Sequence, residues 1–114
     1  MEVHGDDYRV SYDQTTATIT CQGTFRLYGV AGYEPIMELL NHVADQKPAT
    51  ITLNLKELEF LNSSGINTIS KFIINVRNHK TSDLVIKGNR QISWQSKSLE
   101  NLQRLMPNLQ VILE

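Results

Sequence analysis

Apolar and polar residues alternate with period two over Tyr8-Arg9-Val10-Ser11-Tyr12 and again over Ala17-Thr18-Ile19-Thr20-Cys21-Gln22, the mark of strands with one face turned to a core. The polar run Asp13-Gln14-Thr15-Thr16 between them reads as a turn, so the pattern predicts an opening hairpin. Residues 1–7 are mostly polar and are expected to form a flexible N-terminus. Beyond Gly23, Thr24-Phe25-Arg26-Leu27-Tyr28 either extends the second strand or enters a loop marked by Gly29 and Gly32. Helical spacing then sets in: Ile36, Met37, Leu39, Leu40, Val43 and Ala44 form one apolar face, with Pro35 expected in the first turn and Lys47-Pro48 at the close. Period two returns over Ala49–Leu55, with Ile51, Leu53 and Leu55 in register. A second helix carries Ile66, Ile69, Phe72, Ile73 and Val76 on one side. Asp83–Lys87 is a short buried strand ended by Gly88-Asn89. Ser98 is placed to cap a third helix with the stripe Leu99, Leu102, Leu105 and Met106; Pro107 stops it, and Leu109–Leu113 returns as a last strand.

The predicted order is β-β-α-β-α-β-α-β. Strand–helix–strand successions imply parallel, right-handed crossovers, and the opening hairpin adds an antiparallel pair. The expected fold class is therefore α/β, one domain over residues 1–114 built on a mixed five-stranded sheet. Three amphipathic helices suffice to cover one face of that sheet. Leu53, Leu55, Val85, Val111 and Leu113 are expected to line its interior, with Phe72 sealing the second helix against it.

Composition narrows the function classes. The chain has 114 residues, 40% of them hydrophobic, and a net charge of -1, which gives no long-range attraction to nucleic acid or anionic lipid. The single cysteine, Cys21, excludes an internal disulfide framework and falls on the apolar side of its strand as a buried small hydrophobe. No apolar stretch approaches the length of a membrane span and the N-terminus is too polar for a signal peptide, so a cytoplasmic location is expected. Neither the phosphate-loop spacing nor the dinucleotide glycine fingerprint is present. His4, His42, His79 and Cys21 lie on different elements without ligand spacing, so no metal or cofactor is expected. Asp6-Asp7 and Glu57 with Glu59 read as solvated surface acids. Trp94, in a polar setting before the third helix, reads as ordinary packing, the alternative being a cap on the sheet edge or a contact surface. Tyr8, Tyr12, Phe25, Tyr28 and Tyr33 have no basic groove beside them for nucleic acid.

One junction stands out. In Leu53-Asn54-Leu55-Lys56-Glu57-Leu58-Glu59-Phe60-Leu61-Asn62-Ser63-Ser64-Gly65-Ile66-Asn67, an apolar strand gives way to two hydroxyls and a glycine at the start of an amphipathic helix. Such a joint presents serine beside free helix N–H groups, suited to carrying phosphate or touching a partner. No general base stands near it in sequence and no Gly-x-Ser-x-Gly elbow is present, so no catalytic residue is assigned and the chain is not expected to be an enzyme.

Phe60-Leu61-Asn62-Ser63-Ser64-Gly65-Ile66 resembles the motif of the sulfate transporter and anti-sigma factor antagonist (STAS) domain, in which an apolar pair precedes Asp-Ser-Ser/Thr-Gly-Leu between a central strand and the second helix. Within that family it is most similar to the bacterial anti-sigma factor antagonists. The likeness spans about residues 8–113, with Asn62 in place of the family's aspartate and Gly23-Thr24-Phe25-Arg26 in place of Gly-Glu-Leu-Asp. The resemblance implies a STAS-like fold and a phosphorylation-controlled regulator of transcription signalling, with Ser63 as phosphoacceptor. It implies an anti-sigma factor or related serine/threonine kinase as partner. Loops that follow the strands are expected to converge into a binding surface of Thr24, Phe25, Asn62, Ser63, Ser64, Gly65, Gly88 and Asn89. The alternative is a non-phosphorylated scaffold or dimerisation module on the same fold. Homodimerisation stays open, and direct binding of nucleic acid or membrane is not expected.

Overall fold

The computed structural model describes residues 1–114 as β1 (Glu2–His4), β2 (Tyr8–Asp13), β3 (Thr18–Phe25), α1 (Gly29–Asp45), β4 (Thr50–Leu61), α2 (Ser63–His79), β5 (Asp83–Gly88), α3 (Gln95–Gln103) and β6 (Gln110–Leu113). The six strands form one sheet in the order β1-β2-β3-β4-β5-β6. The first three are antiparallel neighbours, and β3 to β6 run parallel. Each parallel crossover moves one place in the same direction, so a constant right hand puts α1, α2 and α3 on the same side. The burial pattern agrees. Val10, Ile19, Ile51, Leu53, Leu84 and Ile86 are sealed within a single cluster of 25 buried residues under the helices. Thr18, Thr20, Thr52 and Asn54 occupy the alternate positions and are only partly covered.

β4 shows how the apolar pattern builds the element. Its buried residues are Ile51, Leu53, Leu55, Leu58 and Leu61, spaced two, two, three and three. Against β3 the register slips twice: Thr20 pairs Asn54 but Gln22 pairs Glu57, and Gly23 pairs Leu58 but Thr24 pairs Phe60. Each slip adds one residue to β4, a bulge that returns the next leucine to the core face. Backbone groups freed there are taken up by α3. Gln95 is fully buried, and its Nε2 donates to the carbonyls of Leu55 (2.7 Å) and Leu58 (3.0 Å). The Trp94 indole N–H donates to Leu58 as well, at 3.2 Å.

The sheet has six strands where five were expected. Glu2–His4 pairs with Arg9–Ser11 and lays Val3 against the core, so part of the expected flexible N-terminus is an edge strand. α1 begins at Gly29, six residues ahead of Pro35, which lies inside the helix. α3 begins at Gln95, ahead of Ser98, and ends before Leu105 and Met106. In β5 the core takes Leu84 and Ile86, because these pair with Ile51 and Leu53; Val85 turns to the open face, which corrects its expected place in the interior. Phe72 is fully buried, as the helical spacing of α2 requires, and Val111 and Leu113 pack against the core.

Candidate functional site

Asn62 ends β4 and caps α2. Its Oδ1 accepts the Gly65 N–H at 2.9 Å and the Tyr33 hydroxyl at 2.7 Å, while its Nδ2 donates to the Leu27 carbonyl at 2.7 Å. Its backbone is held too: its N–H donates to Phe25, and its carbonyl accepts the Ile66 N–H. One side chain thus ties together the end of β4, the loop after β3, α1 and α2. Both ends of a carboxamide are needed, since a carboxylate has no donor for Leu27. Tyr33 is buried, and that burial pushes its phenol above the ordinary value. Gly65 permits the closeness: a Cβ there would stand 2.8 Å from the Tyr33 oxygen.

The two serines have different environments. Ser63 is the exposed first residue of α2. Ser64 is half-buried, and its Oγ accepts the Gly29 N–H at 3.1 Å, joining the start of α2 to the start of α1. The two helix starts border a cleft of about 110 Å³ lined by Val30, Tyr33, Met37, Ser64, Asn67 and Lys71. Beside it, Tyr28 is 87% and Val30 73% exposed. On the other side of the sheet end, Phe60 carries the Arg26 guanidinium 5.0 Å above its ring.

His79, at the far end of α2, is about 24 Å from Ser63 at 1.5 Å per residue. No group of three or more His, Cys, Asp and Glu side chains is placed to hold a metal. What the site offers is shape, exposed apolar surface and unpaired amides.

Of the residues expected to form a binding surface, Thr24, Phe25, Asn62, Ser63, Ser64 and Gly65 come together. Within this group Phe25 and Gly65 are buried, Phe25 between the rings of Tyr8 and Tyr33, so they shape the site from beneath. Gly88 and Asn89 lie elsewhere. Gly88 packs against Gln95 and Leu99, and Asn89 donates to the Lys56 carbonyl, six residues before Asn62, or about 15–20 Å along β4. Sequence reasoning missed Leu27, Val30 and the tie through Tyr33. The signal was the isolated apolar pair Tyr28 and Val30 around Gly29, legible only once α1 is known to begin there.

No protein-family model matches the chain, and no curated protein sequence matches it. Solved structures do. One is a chain of the crystal structure of the diguanylate cyclase SiaD in complex with its activator SiaC from Pseudomonas aeruginosa, with 12% identity, TM-score 0.75, and 100% of this chain and 99% of that one covered. SiaC of Pseudomonas aeruginosa has 12% identity, TM-score 0.74, and 100% and 96% covered. Apo-SiaC from the same organism has 9% identity, TM-score 0.73, and 100% and 98% covered. The expectation of an anti-sigma factor or serine/threonine kinase as partner is corrected by these findings, since a protein of this fold, SiaC, is seen with a diguanylate cyclase. The reading as a phosphorylation-controlled transcription regulator falls with it. The local chemistry agrees: in place of the motif's acid stands Asn62, its carboxamide committed to Leu27, Tyr33 and Gly65. The chain therefore has the STAS-like α/β fold that it shares, from end to end, with SiaC.

Proposed function

We propose that this chain is a non-enzymatic, cytoplasmic protein-binding regulator that docks onto a diguanylate cyclase through the surface at the paired starts of α1 and α2. The observation that carries the reading is the exposure of Val30, which lines the cleft between the two helices, and of Tyr28, two residues before it across Gly29. An aromatic ring displayed next to a concave, partly polar surface is a usual anchor of a protein interface, and Val30 adds apolar area beside it. The class of partner comes from SiaC, which shares the fold along its whole length and is the activator of SiaD. No helix is long and apolar enough to cross a membrane, which suits a partner reached from solution.

The test is calorimetric titration of the chain against each purified diguanylate cyclase of its source organism, with cyclic dinucleotide synthesis followed in parallel. One cyclase should bind and change its rate. The double variant Tyr28→Ser, Val30→Asp, which puts a capping hydroxyl and an acid at the start of α1, should lose no thermal stability and bind about 30-fold more weakly or worse, as expected when anchor side chains are lost. Binding by no cyclase, or equal affinity of the variant, would sink the proposal.

A further inference from the structure

α1 has no cap of its own. Its N-cap residue, Tyr28, makes no side-chain hydrogen bond to the first turn, and no acidic residue lies in that turn. Gly29 there has φ +63°, a left-handed entry that only glycine takes without strain, and Gly32 is the weakest helix former after proline. Pro35, one turn on, has no N–H to offer the Ala31 carbonyl, which removes one of the bonds tying this turn to the rest of the helix. Val30 and Ala31 amides have no protein partner. The only side chain that reaches a first-turn amide comes from another helix: the Ser64 hydroxyl of α2 accepts the Gly29 N–H at 3.1 Å. Ser64 is itself fixed, since its carbonyl accepts the hydroxyl of the buried Thr68 at 3.0 Å. Tyr28 and Val30 flank the amide it holds.

We propose that Ser64 is a positioning residue of the docking surface, a borrowed N-cap that keeps the first turn of α1 wound and so holds Tyr28 and Val30 in their displayed arrangement. This rests on the reading of those two side chains as the partner's anchors. An unlatched turn would have to be ordered at the moment of binding, at a cost in affinity. The bond also couples the two helix starts, so whatever displaces the Ser64 hydroxyl loosens α1.

Amide hydrogen exchange of the full chain, read residue by residue by NMR, tests this without any partner. In Ser64→Ala the amides of Gly32, Tyr33 and Glu34, the first to close α1, should exchange about fivefold faster, which corresponds to about 1 kcal/mol for a lost cap. Amides of α2 from Ile69 onward should keep their rates. Ser64→Thr retains the hydroxyl and should restore protection. So should the double variant Ser64→Ala, Tyr28→Asp, which gives α1 a cap from its own chain. Unchanged exchange in Ser64→Ala, acceleration spread evenly over both helices, or failure of the added aspartate to restore protection would each overturn the assignment. These results bear on Ser64 alone: they leave the docking surface standing, just as failure of the cyclase titration would leave the latch intact.

Discussion

Replacing Asn62 by aspartate tests the junction most sharply, because it changes one donor into an acceptor and little else. The Nδ2 hydrogen bond to Leu27, at 2.7 Å, would be lost, and a carboxylate oxygen would face the carbonyl in its place. Losing one such bond costs about 1 kcal/mol, and leaving the half-buried carbonyl opposed by a charge adds about 1–2 kcal/mol. Aspartate caps as well as asparagine, and its charge at the start of α2 returns about 0.5 kcal/mol through the helix dipole. The net expectation is a loss of about 1.5–2.5 kcal/mol at pH 7, or about 5–10 °C in thermal midpoint. The sign with pH follows from the same geometry. The Leu27 carbonyl opposes the charged form while the Gly65 and Tyr33 donors and the helix start favour it; by the balance above the carbonyl wins, so the new carboxyl is held above its unfolded value of about 3.9 and the penalty sets in as pH rises through its titration. Once protonated, it can donate to Leu27. Urea unfolding of variant and wild type, side by side at pH 7 and near pH 3, should show the difference shrinking at the lower pH. A difference within 0.5 kcal/mol of zero at pH 7, or one that does not change with pH, would refute the reasoning.

Phe72→Ala empties a fully buried site beneath α2 and should cost about 3–5 kcal/mol in denaturant unfolding; a loss below about 0.5 kcal/mol would contradict its packing. Cys21 is buried, and that burial pushes its thiol up to about 12. Native protein should therefore resist alkylation by iodoacetamide between pH 7 and 9 and react only as fast as it unfolds, whereas rapid stoichiometric labelling at pH 8 would show an accessible thiolate.

What could be read from the sequence was whatever kept a single period. Ile51, Leu53 and Leu55 announced a strand, and Ile69, Phe72, Ile73 and Val76 a helix, because each set repeats without interruption. The second half of β4 was hidden because its bulges space Leu55, Leu58 and Leu61 by three, a spacing that belongs to helices and not to a strand. Leu84-Val85-Ile86 has no period at all, and only pairing with β4 decides which residue faces outward. Glu2–His4 is too short to signal anything and becomes a strand by adding to β2. α1 was placed late because Pro35 looks like a first-turn residue and Gly29 and Gly32 look like a loop. The same reasons divide the site. The serine joint was visible as composition, but the Tyr28–Val30 surface depends on where α1 starts. The separation of Gly88 and Asn89 depends on how far β4 runs.

A ribosome releasing this chain delivers the strands in the order in which they stand side by side. No strand has to be threaded between two already paired ones, and each helix lands on the edge that is then growing, so loop closure stays short at every step. The bulged half of β4 is the exception. Its carbonyls at Leu55 and Leu58 are claimed by Gln95, separated from them by 40 and 37 residues. Until α3 has left the exit tunnel, the stretch of strand that leads to Asn62 lacks the partner that seals its flank. The bulged strand that runs up to the start of α2 is sealed late, by a glutamine from the last quarter of the chain.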